Sequence, residues 1–176
     1  MKAVITFLIL GGGLALHAQT NPLSTELKMS WDRLKGNIVG SVNKLPETAF
    51  AFHPTPNMPE VKTLAQWVGH LIDGAARSCG QVKGEAKNLG AEKGITTKAQ
   101  LQAAMKEAFD VCDSVHASLT DAQAMEMVNN RTKLSILWGN VAHLNEGYGS
   151  LAVYMRLNGI VPASSEGRGG AGGKKG

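Results

Sequence analysis

The chain has 176 residues and a mass of 18.6 kDa, with 43% apolar and 18% charged side chains. That is enough apolar material for one globular core, and it excludes a largely disordered polar chain. Aromatics are only 5%, which favours helix packing over a β-sandwich. The formal charge is +4, but much of the excess sits at the two ends, and no basic stripe with interleaved aromatics runs through the middle. Nucleic acid is therefore excluded as the main partner.

Met1-Lys2 followed by the apolar run Ala3 to Leu16 reads as a secretory leader cleaved after Ala18, residues 1–18. The run is too short for a stable membrane anchor, and the destination it implies is periplasmic or extracellular. The body, residues 19–163, opens with Leu23, Leu27, Trp31, Leu34, Ile38, Val42 and Leu45. Steps of three and four put these on one stripe of a helix. Asn21 and Pro22 are a cap and a first-turn proline, and Pro46 ends the pattern. Four prolines between Pro46 and Lys62 predict an extended link, with Phe50 and Phe52 covering an end of the core.

Thr63 with Gln66 forms a capping box for a second helix that carries Leu64, Trp67 or Val68, Leu71, Ala75, Cys79, Val82 and Ala86. Gly90 and Gly94 mark a turn, and Thr97 with Gln100 repeats the capping pattern. A third helix carries Leu101, Met105, Ala108, Cys112, Val115 and Leu119. After a polar link around Asn129 to Arg131, a fourth runs from Leu134 to Met155 and ends at Gly159 and Pro162. The fold class expected is all-α, a four-helix bundle. The Gly-rich stretch 164–176 holds no large apolar side chain and reads as a disordered tail.

Few residues on this scaffold can carry chemistry. His70 and His143 lie at the margins of the apolar stripes of the second and fourth helices. Asp73 and Glu146 follow each by three residues, on the same side of the helix. Two imidazoles with one or two carboxylates are a divalent-metal set, suited to Zn or Ni. The plainer alternative is that each His is a bundle-edge residue donating to a carbonyl or to water. His53 and His116 read as surface or packing residues. Cys79 and Cys112 are the two thiols of a chain expected in an oxidising compartment, so a disulfide is open. Counting residues from the turn leaves them about 7 Å apart in height, which favours two separately buried thiols.

The run His143-Leu-Asn-Glu-Gly-Tyr-Gly-Ser150, continued by Leu151-Ala-Val-Tyr-Met-Arg-Leu-Asn-Gly-Ile-Val-Pro162, resembles the last helix of the DinB-like superfamily. Leu45-Pro-Glu47, Phe52-His-Pro-Thr-Pro56 and Leu64 to His70 resemble that family's first link and second helix, so the likeness spans Asn21 to Ser165. It implies an up-down-down-up four-helix bundle, often dimeric, with a three-His divalent metal site used by some members to transfer low-molecular-weight thiols to electrophiles. His70 and His143 match two of those ligands, but the third position is Gly147, and Ser150 stands where the family has Gln. The likeness thus implies a degenerate metal site, and a histidine placed at position 147 should restore it. Three readings follow: a binding or assembly protein without strong catalysis, a metal-dependent thiol transferase or hydrolase using His70, His143 and a carboxylate, and a bundle that holds heme or another small-molecule ligand in an apolar cavity.

Overall fold

The computed structural model describes residues 20–166; the expected leader and the last part of the expected tail, residues 167–176, lie outside them. The fold is mostly helical. Four long helices are α1 (Pro22–Lys44), α2 (Leu64–Lys83), α4 (Lys98–Ser118) and α6 (Lys133–Leu157); α3 (Ala91–Gly94) and α5 (Asp121–Ala124) are single turns, and Met127–Val128 (β1) pairs antiparallel with Arg131–Thr132 (β2). Both α1 and α2 pack against α4 and α6. Their apolar stripes close on one core, in which Trp31, Ile38, Leu71, Ile72, Leu101, Leu137, Leu144 and Leu151 are fully buried. Among the described residues no helix is long and apolar enough to cross a membrane.

The termini of these helices are satisfied partly by distant residues. The Thr63–Gln66 capping box forms as the sequence predicts. At α1, however, the Leu23 and Ser24 amides donate to the Asp121 carboxylate at 3.1 and 2.9 Å, while Asn21 Oδ1 accepts from the Asp121 amide at 2.9 Å. The two helix starts therefore cap each other across nearly 100 residues, an arrangement local spacing does not reveal. The second predicted box does not form. Thr97 Oγ1 donates to Gln100 Oε1, and the Lys98 amide instead faces the Glu47 carboxylate, an acidic group at a helix N-terminus.

Three further expectations are corrected. The proline-rich link is not wholly extended: Glu47–Ala51 forms a 3₁₀ turn that buries Ala49 and Phe50. Helix α2 stops at Lys83 rather than Ala86, because Gly84 takes φ +84° and turns the chain back. Ser164 to Glu166, assigned to the tail, pack on the bundle: Ser164 meets Tyr148 Oη at 3.0 Å, Arg156 donates to Ser165 Oγ at 2.8 Å, and Glu166 pairs with Lys44. The polar link before α6 is a tight hairpin in which Asn129 and Asn130 both have positive φ, the geometry a two-residue turn of this hand requires.

The largest correction concerns the cysteines. Cys79 and Cys112 form a disulfide, with Cα atoms 5.1 Å apart. Counting heights from the turn treats α2 and α4 as a hairpin. Instead, residues 84–97 run back along α2: Glu85 and Ala86 lie against Gly80, and Ala91 lies against Gly69 and donates its amide to the Asp73 carboxylate. Helix α4 thus starts near the level where α2 starts, and the two cysteines, far along their respective helices, arrive at the same height. Asn140 from α6 is buried beside them and donates from Nδ2 to Cys79 Sγ at 3.6 Å.

Candidate functional site

His70 on α2 and His143 on α6 face each other, ring centroids 4.8 Å apart and planes inclined by 68°. Helical spacing puts each at the edge of its apolar stripe, so both are partly exposed, with 29% of the His70 side chain open to solvent. Their approach depends on Gly74, one turn beyond His70. A Cβ there would stand 3.1 Å from His143 Cδ2 and 3.2 Å from Nε2. Trp67 sets its ring edge-on to His70 at 5.7 Å and to Tyr154 at 6.4 Å, which walls one side.

The carboxylate that meets the pair is one the sequence analysis did not single out. Glu92 Oε2 lies 2.8 Å from His70 Nδ1, and Glu92 Oε1 pairs with Lys62 at 2.8 Å. Glu92 sits on α3, a single turn with no apolar periodicity to announce it. Two features of α2 hold that turn in place. The Asp73 carboxylate accepts the Ala91 and Glu92 amides at 3.0 Å each, and Gly69 admits the α3 backbone so closely that a Cβ would fall 2.5 Å from it. The signal available in sequence was indirect: an acidic residue just after Gly90, two residues beyond Asn88, which itself accepts the Gly90 amide.

The four residues proposed from spacing therefore separate. His70 and His143 come together. Asp73 is buried and spent on capping α3, so its nearness to His70 along the helix does not make it a ligand. Glu146 is exposed on α6 and acts on His143 only through its charge. Position 147, where the family likeness places a third imidazole, is not open space: a Cβ there would lie 2.5 Å from Leu71 Cδ2. Among the described residues, no group of three His, Cys, Asp or Glu side chains converges as a metal site would.

The electrostatics disfavour a proton on His143. Burial holds the His143 pKa below its usual value, the neighbouring His70 and then Arg77 push the same way, and Glu146 opposes them. Burial works to raise Glu92, but hydrogen bonds from Lys62 and His70 outweigh it, and its carboxyl titrates below the usual range. In the neutral tautomer that donates Nδ1–H to Glu92, Nε2 is the accepting nitrogen of His70. A carboxylate on the far nitrogen is also how ligating histidines are oriented.

His116 is separate from this site: it is buried in the core, stacked on Trp31 at 5.4 Å with neither ring nitrogen hydrogen-bonded, and burial lowers its pKa to about 4. An open apolar groove of about 580 Å³ lies between α1 and α6, bordered by Leu23, Leu27, Leu134 and Trp138. No family model matches the chain, and no curated protein matches it.

Proposed function

We propose that this chain is an exported, DinB-like four-helix bundle of up-down-down-up topology in which the metal site has become degenerate, and that it acts through binding or assembly, as a homodimer, rather than through strong catalysis. The topology is supported by α1 and α2 each touching both α4 and α6, and by the return of residues 84–97 that sets α2 and α4 in the same direction. The reading rests on one observation: Leu71 fills the space at Gly147 where a third donor would stand. Asp73 does not replace that donor, because it holds α3. Two imidazoles alone bind Zn or Ni far more weakly than a complete set. The test is elemental analysis of the untagged protein after dialysis. Substoichiometric Zn and Ni are expected; one tightly held ion per chain, lost on His70→Ala or His143→Ala, would overturn the reading.

A second reading has a specific observation in its favour. Two imidazoles bound to one ion through nitrogens about 2.05 Å away place their ring centres about 4.5 Å apart at a right angle and about 5.2 Å apart at the tetrahedral angle. The observed 4.8 Å lies between. In this reading the protein is a metal-dependent thiol transferase or hydrolase, and the ion would supply acidity, lowering the pKa of a thiol or water. His70 and His143 would hold it, Glu92 would orient His70, and Glu146 would have to swing inward to complete the set.

A further inference from the structure

We propose that the face shared by α1 and α6 is where two copies of this chain pair, antiparallel and related by a two-fold axis that crosses α1 near Ser30 and α6 at Trp138. The inference rests on the homodimer reading above and names the surface that forms it. A bundle helix open to solvent carries charged groups on its outer side. Helix α6 does not: from Leu134 to Met155 it holds a single charged residue, Glu146. Steps of three and four place Ser135, Trp138, Ala142, Asn145 and Gly149 in one exposed row. The row is uncharged, and its side chains are small except for Trp138, which is 56% exposed.

Beside that row, α1 contributes Leu23, Glu26, Ser30, Arg33 and Asn37, again in steps of three and four. Trp138 borders both the apolar groove by Leu23 and Leu27 and a second hollow by Ser30, Arg33 and Leu34, so it stands level with Ser30. No ion pair among the described residues includes Glu26 or Arg33. These two lie two turns apart on the same side of α1, and the level halfway between them is that of Met29 and Ser30. A two-fold axis at that level, turning one α1 antiparallel to the other, sets Glu26 of each copy against Arg33 of its partner. The Arg33 stem then lies along the groove of Leu23, Leu27 and Leu134 while its guanidinium meets Glu26, which lines the same groove. The two Trp138 rings meet at the axis, over the small Ser135 and Ala142, giving an aromatic centre with charges at the rim. The parallel alternative, α1 against α6, leaves Glu26 and Arg33 facing the uncharged row.

The experiment is sedimentation velocity of the untagged protein over a dilution series, with circular dichroism as the check on folding. A dimer is expected. Glu26→Arg and Arg33→Glu should each weaken it about 100-fold, because each sets like charges together on both sides of the axis. The double variant Glu26→Arg, Arg33→Glu, in which the charges are exchanged, should return to within about tenfold of the wild type, and Trp138→Ser should be monomeric. A wild type that dimerises, with no loss in either single reversal or in Trp138→Ser, would overturn this surface and leave the homodimer standing through another face. Failure of the double reversal to recover the dimer would overturn the proposal as well, since the pairing of Glu26 with Arg33 is what makes the arrangement antiparallel. A monomeric wild type would overturn the surface and the homodimer together but not the incomplete metal site, which elemental analysis tests separately. An apolar molecule carried by that monomer, seen in its native mass, would assign the groove to a ligand instead.

Discussion

Replacing Cys79 and Cys112 together by Ala is the perturbation whose size follows most directly from the structure. The bond closes a loop of sequence separation 33 that contains α3 and most of α4. In the chain-entropy treatment, a loop of that length restricts the unfolded chain by about 4 kcal/mol at 25 °C. Both cysteines are fully buried, and the change also removes the sulfur that faces Asn140 Nδ2. For a chain of this size, 1 kcal/mol corresponds to roughly 2–4 °C in Tm, so the double variant should melt about 8–16 °C below the wild type. Thermal unfolding followed at 222 nm measures the shift, and thiol titration of the denatured, unreduced wild type should find no free thiol. Two free thiols in that titration, or a Tm within about 2 °C of wild type, would refute the reasoning, since either result means that the loop is not constrained by this bond.

Two other predictions concern side chains whose setting is unusual. His116 has its folded pKa lowered to about 4 against an ordinary 6.5, chiefly by burial, with Asp32 and Asp113 opposing and Lys28 assisting. The folded state thus resists the proton that the unfolded state accepts. Stability from this group is complete above about pH 6.5 and declines as pH falls toward 4, by about 3 kcal/mol in all. Urea unfolding across that window should show the decline in the wild type and a smaller one in His116→Phe, whose ring can keep the stack on Trp31; parallel profiles would contradict it. At position 147, His alone should fail to raise zinc affinity and should lower Tm, because its Cβ meets Leu71 Cδ2 and overpacking costs about 1–3 kcal/mol. Gly147→His combined with Leu71→Ala should raise zinc affinity in a chelator competition assay, and a rise in the single variant would show that Leu71 yields readily.

The candidate site was half legible before any coordinates. His70 and His143 could be paired from two independent stripes, because a residue beside an apolar position on a 3.6-residue period sits at the rim of the core. Asp73 was misassigned for an equally physical reason: three residues along a helix gives the same side but not the same partner, and two unsatisfied amides of α3 compete for its oxygens. Glu92 could not be found by period at all, since a four-residue turn has none. A histidine at position 147 was expected to restore the set, yet whether a missing side chain leaves a space depends on what the facing helix puts there, and that is Leu71.

Composition and spacing by themselves determined the all-α class, the stripes of the four long helices, the Thr63 cap and the Gly159 exit, because these depend on residues within a turn or two of each other. Only the tertiary structure decided the Cys79–Cys112 bond, the mutual capping of Asn21 and Asp121, the Lys62–Glu92–His70 chain and the closing of position 147. Each of these joins residues from different elements, and the disulfide and the Lys62–Glu92–His70 chain follow from the direction in which residues 84–97 return along α2. A glycine in the left-handed region starts that return and two capped amides fix its end, so a local pattern gives the helices but not which way the chain between them travels.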